Sequence, residues 1–154
     1  MQPQDIPSLY DRLGGLYNIA VVVDDFIDRV MGDPRLNANP RVDEAHHRVS
    51  PQGFKYYVTE MLCWAAGGPQ TYSGRTMGDS HRHLMITDEE WVAFMDDLHQ
   101  SLDKFEVPRP EQDEVMTIHR ESEKGSSRKP KGMKKGRGYR YTPALIVVAC
   151  LLRQ

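Results

Sequence analysis

An apolar stripe of helical period constrains this chain more than any other feature. Ile19, Val22, Val23, Phe26, Ile27 and Val30 recur at i, i+3, i+4, i+7, i+8 and i+11, so they share one face of a single helix. Val21-Val22-Val23 alone would suit a strand, but the helical spacing continues beyond it until Gly32-Asp33-Pro34 stops it. A second stripe is Phe54, Tyr57, Val58, Met61, Leu62 and Ala65. It starts behind Ser50-Pro51, a capping residue followed by proline at the first helical position, and ends at Gly67-Gly68-Pro69. A third, Trp91, Phe94, Met95, Leu98 and Leu102, follows Thr87-Asp88-Glu89-Glu90, which has the spacing of a capping box. Three one-sided helices must cover one another's apolar faces, so the fold class is all-α.

The remaining punctuation fills in the order. Ser8 to Leu13 reads as a short opening helix ended by Gly14-Gly15. Asn37, Asn39 and Pro40 read as loop residues, and Arg41–Val49 as one or two helical turns without a fixed apolar face. Val107-Pro108-Arg109-Pro110 breaks the chain before a shorter helix carrying Val115, Met116 and Ile118.

After Glu123 the composition changes, which divides the chain into a helical domain, 1–123, and a tail, 124–154. The tail holds nine Lys and Arg residues and no acid, then the apolar run Ala144–Leu152. Its basic part has almost nothing to bury and is expected to be disordered. The first 123 residues carry eleven Lys and Arg against twenty-two acids. An acidic body is a poor binder of nucleic acid or anionic membrane. The apolar run is too short to span a bilayer comfortably, and a membrane role is not expected. The chain opens with no basic-then-apolar leader, and Cys63 and Cys150 suggest neither a disulfide framework nor a metal motif. A cytoplasmic setting is the expectation.

Six histidines are available: His46, His47, His81, His83, His99 and His119. None stands in a zinc spacing, and no phosphate loop or nucleophile elbow is present. The context of His81 is distinctive. A glycine pair, Gly67-Gly68, is followed by Tyr72, Gly74, Arg75, Met77 and His81, a Tyr-x-Gly-Arg-x-Met-x-x-x-His run. This stretch resembles the proximal region of truncated haemoglobins, the two-on-two globins, of group 1 type. Leu13-Gly14-Gly15 and the helix that follows resemble that family's opening pattern.

The resemblance implies a two-over-two helical sandwich around haem b, with His81 as the proximal iron ligand. Neutral imidazole is a good ligand for iron. It implies haem contacts from Phe26, Phe54, Val58 and Met61 and from the proximal Met77, with Tyr72 and Arg75 as candidates to hold the propionates. A loop tyrosine and a solvated arginine are the other readings of that last pair. His83 is the rival for ligation.

On the distal side the sequence departs from the family. The helix that commonly offers a tyrosine to the bound ligand has Phe26-Ile27 here, and isoleucine donates no hydrogen bond. Residues 36–49 contain no aromatic where the family usually packs a phenylalanine on haem. Tyr57 is the one polar side chain expected near the iron on the second stripe. The longer segment before that stripe contains His46-His47, and one of the two is a candidate sixth ligand. Flanking Glu44 and Arg48 also suit a solvated helical face.

The implied function is reversible binding of diatomic gases, oxygen or nitric oxide. Turnover of nitric oxide or peroxide is left open, as is a redox partner. A six-coordinate haem sensor or electron-transfer module is the alternative, and a cofactor-free helical interaction domain is a third reading.

Overall fold

Three helices of this protein start at the same device, a capping side chain followed by proline. The computed structural model describes residues 6–72 and 84–123, with side chains through residue 117 in the final helix. After α1 (Leu9–Arg12) and α2 (Gly15–Gly32), the pair Asp33-Pro34 opens α3 (Pro34–Asn37). Asn39-Pro40 opens α4 (Pro40–Arg48), and Ser50-Pro51 opens α5 (Pro51–Ala65). Each cap accepts from a backbone N–H of the first turn, at Arg35, Arg41 and Gly53. Proline at the first helical position gives up an N–H that has no helical partner anyway.

Helices α6 (Asp88–Lys104) and α7 (Arg109–Glu123) complete the described chain. The expected capping box at Thr87 and Glu90 is formed from both sides. Ser8 and Asp11 make a second one at α1. Gly14 adopts φ +86°, a left-handed conformation that lets the chain leave α1 and enter α2 directly.

The expected helical turns over residues 41–49 are present, but the loop expectation for Asn37, Asn39 and Pro40 needs correction. Asn37 ends a helical turn, Asn39 is a helix cap rather than loop, and Pro40 starts a nine-residue helix. Turn residues were abundant there because two helix starts are close together, and Asx-Pro serves both purposes.

The main stripe of α2 is buried as expected at Ile19, Val23, Phe26, Ile27 and Val30, with Val22 partly covered. It packs most extensively on α5, which buries Phe54, Val58, Met61 and Leu62, and next on α6, which buries Ala93, Phe94, Leu98 and Leu102. Each large apolar side chain so enclosed contributes about 1.5–3 kcal/mol. Phe26 meets Phe94 edge-on at 5.1 Å between ring centres, and Trp91 stacks on Phe94 at 5.5 Å. Asp25 ties α2 to α6 by accepting from Ser101 at 2.8 Å and pairing with Lys104. Helix α7 returns along α6 and meets α1, where Arg12 bridges Glu111 and Glu114. The result is two pairs of helices, α2 with α5 and α6 with α7, and no strand among the described residues.

Candidate functional site

Helix α4 is held by side chains at its start. The Asn39 amide donates to the Leu84 carbonyl at 3.0 Å and to Glu90 at 3.1 Å. That bond places the start of α4 against Leu84, three residues beyond His81 in sequence. At its other end, Val49 is buried and Ser50 opens α5. So α4 joins the neighbourhood of residue 84 to the helix carrying Phe54, Tyr57, Val58 and Met61.

The structure separates the two adjacent histidines. His47 is exposed, and its Nδ1 lies 2.7 Å from the Asp43 carbonyl of its own helix. His46 is 7% exposed, and its Nδ1 lies 2.7 Å from Oδ1 of Asn37. The Asn37 amide nitrogen donates to the Met31 carbonyl at 2.9 Å, which fixes the amide's orientation. Its Oδ1 must therefore accept, and His46 Nδ1 must carry the hydrogen. In the neutral ring this leaves the Nε2 lone pair free. That atom is buried and has no hydrogen-bond partner among the described residues.

Burial lowers the His46 pKa to about 4; nearby His47 adds to this and Asp43 partly opposes it. The ring is neutral over the physiological range. A buried, unpaired acceptor costs about 1–3 kcal/mol when nothing uses it, and a neutral imidazole with its other nitrogen donating to a fixed acceptor is the arrangement of a metal ligand. A buried imidazole of that chemistry fits a haem iron. A sequence signal for choosing His46 did exist. Val42, Ala45, His46 and Val49 fall at i, i+3, i+4 and i+7 and are all buried.

Of the other expected haem neighbours, Phe26, Ile27, Phe54, Val58 and Met61 are buried in one apolar cluster, with Tyr57 and Tyr72 packed against it. Arg75, Met77, His81 and the rival His83 lie outside the described residues. His99 is half-exposed and within 3.0 Å of Arg109, away from this group in the α6–α7 corner. Sequence reasoning missed Asn37. It also missed Asp97, a buried carboxyl on α6 near Asp33 and Arg35. Among the described residues no group of three or more His, Cys, Asp or Glu side chains could hold a metal ion by itself. No helix among them is long and apolar enough to cross a membrane.

Two helix pairs packed on a shared apolar cluster define a two-on-two globin fold. The chain belongs to the bacterial-like globin family, whose model matches residues 8–124. Globins of this family bind haem and, through it, diatomic gases. The chain is 32% identical over 106 residues to the group 1 truncated hemoglobin GlbN of Synechocystis, covering 66% of this chain and 80% of that protein. It is 28% identical over 109 residues to the group 1 truncated hemoglobin GlbN of Mycolicibacterium paratuberculosis, covering 71% and 76%. The solved truncated hemoglobin of Tetrahymena pyriformis in its Fe(III) form has the same fold, with a TM-score of 0.63 at 20% identity over 77% of this chain and 96% of that one.

Proposed function

We propose that this chain is a haem-b protein that binds oxygen or nitric oxide reversibly, with His81 as proximal ligand and His46 holding the sixth position in competition with the gas. The observation that carries this reading is the buried, unpaired Nε2 of His46, whose proton sits on the other nitrogen. Bound haem iron supplies the coordination position for which imidazole and gas compete.

The chain's own residues do the rest. Asn37 holds the His46 ring in the tautomer that offers Nε2. Burial keeps that ring uncharged, so no proton has to leave before it coordinates. Phe26, Ile27, Phe54, Val58 and Met61, buried together in one apolar cluster, would exclude water from around the macrocycle. Ile27 donates no hydrogen bond, and Tyr57 of α5, packed against the apolar cluster, would be the side chain to donate one to a bound gas. Tyr72 and Arg75 would hold the propionates by hydrogen bond and charge pairing. With haem bound, His46 would occupy the gas-binding position, and apparent gas affinity would be reduced by the fraction of molecules in which His46 is released.

Reconstitution with hemin tests the reading. The full chain takes up one haem per chain with a Soret band, and acid extraction releases the haem unmodified. A chain that gives no Soret band is a cofactor-free helical domain, which overturns the proposal.

A further inference from the structure

A groove of about 310 Å³ opens between α2, the end of α5 and the α6–α7 corner. Val21, Val22, Leu62, Leu102, Phe105 and Val107 give it an apolar lining. Val21 is 51% exposed and Phe105 37%. One helical turn before Val21, Tyr17 is 84% exposed, so the apolar surface continues along α2. This solvated apolar surface is open for an apolar partner to cover.

We propose that this groove is the docking site of the chain's own apolar segment, Ala144–Leu152. Four observations carry this. The family match ends at residue 124, so the segment is an addition of this chain to the shared fold. Its nine residues are all apolar or cysteine, which matches the lining. Helix α7 contributes Val115 to the groove and ends eight residues later at Glu123, about 12 Å along its axis. The intervening 124–143 can extend over roughly 65 Å, well beyond a domain whose radius of gyration is about 14 Å.

Charge agrees with that path. Residues 124–143 hold eight Lys and Arg and no acid. The body has twice as many acids as cations, and Glu106 lines the groove while Glu111 and Glu114 flank it around Arg12. Attraction between linker and body raises the local concentration of the apolar segment at the groove.

Thiol labelling of the full chain tests the proposal with native cysteines. Cys150 lies within the apolar segment. Cys63 is fully buried, and burial pushes its thiol up to about 11, so it reports unfolding and is otherwise silent. Docking predicts that Cys150 reacts at least about tenfold more slowly in the native chain than in denaturant. Val21→Asp and, independently, Phe105→Glu should restore fast labelling of Cys150 while Cys63 stays protected. Val92→Asp, at an exposed site on α6, should change nothing. Raising salt from low to about 0.5 M should speed Cys150 labelling, because it screens the linker.

Equal reactivity of Cys150 in native and denatured chain overturns the proposal. So does protection that grows with protein concentration, which would mean a second copy, or protection that appears only with phosphatidylserine vesicles, which would mean a membrane surface. If one groove variant unfolds, labelling of Cys63 reveals it and the other variant decides.

Discussion

The Asn37 side chain and Nδ1 of His46 form a 2.7 Å hydrogen bond across the junction of two short helices, with the Asn37 amide fixed from behind by the Met31 carbonyl. The bond determines which nitrogen of His46 is left to bind. The partners are nine positions apart in sequence; His46 is buried and Asn37 half-buried.

Replacing Asn37 with alanine should weaken His46 as a ligand without removing it. Loss of one such bond is worth about 1 kcal/mol, or about a fivefold shift toward the released state. Carbon monoxide binding to the ferrous protein should become faster by a similar factor. Asn37→Asp should act in the opposite direction, since a carboxylate accepts more strongly and makes the imidazole a better donor to iron. Stopped-flow carbon monoxide binding checks both, and equal rates in wild type, Asn37→Ala and Asn37→Asp would remove Asn37 from the account.

A buried carboxyl, Asp97, and a half-buried one, Asp25, give stability opposite pH slopes. Burial and the neighbouring Asp33 carboxylate raise Asp97 to about 7, with Arg35 partly opposing. The folded chain therefore holds an extra proton between about pH 4 and pH 7, and stability falls as pH rises through that window. Asp25 is also pushed up by burial, but hydrogen bonds from Lys104, Arg29 and Ser101 outweigh this and hold it at about 2. Its contribution is present above about pH 4 and disappears as pH falls toward 2. Asp97→Asn should raise the melting temperature at pH 8 by about 5 °C and leave it nearly unchanged at pH 4. Asp25→Asn should lower it at pH 7. Calorimetry across pH 3–9 measures both, and a wild-type melting temperature that is flat from pH 4 to 8 contradicts the Asp97 assignment.

Much of the fold was legible because its signals are local. Ser50-Pro51 and the Thr87–Glu90 box mark helix starts within four residues, and the stripe from Ile19 to Val30 fixes its own buried face. Asn37 and Asn39 were harder to read, because asparagine beside proline signals a turn and a helix start equally. The choice between His46 and His47 depends on a difference of about 100° around α4, and only the face containing Val42 and Ala45 resolves it. The Asp33–Asp97 proximity could not be read from sequence, since the two residues are 64 positions apart and meet only when α6 packs against α3.

Replacing His81 with glycine should abolish stable haem uptake or leave it dependent on added imidazole, which can fill the cavity and coordinate in place of the side chain. Haem stoichiometry and the ferrous spectrum, with and without about 10 mM imidazole, are the readouts. The same substitution at His83 should leave stoichiometry intact. A His81→Gly chain that retains one haem and an unaltered spectrum removes His81 from the iron.

Truncation after Glu123 should preserve haem stoichiometry, since the residues expected to enclose haem all precede that point. Loss of haem uptake in the shortened chain would make residues 124–154 part of the haem-binding unit.

The absorption spectrum of the dithionite-reduced full chain, compared with that of His46→Leu and His47→Leu, tests the central claim most directly. With no added ligand, the wild type and His47→Leu should show the sharp visible bands of low-spin, six-coordinate iron. The His46→Leu protein should show the broad band of five-coordinate iron and bind carbon monoxide faster, because no side chain has to leave first. A five-coordinate wild type, or a six-coordinate spectrum that persists in His46→Leu, would contradict the assignment of His46 to the iron.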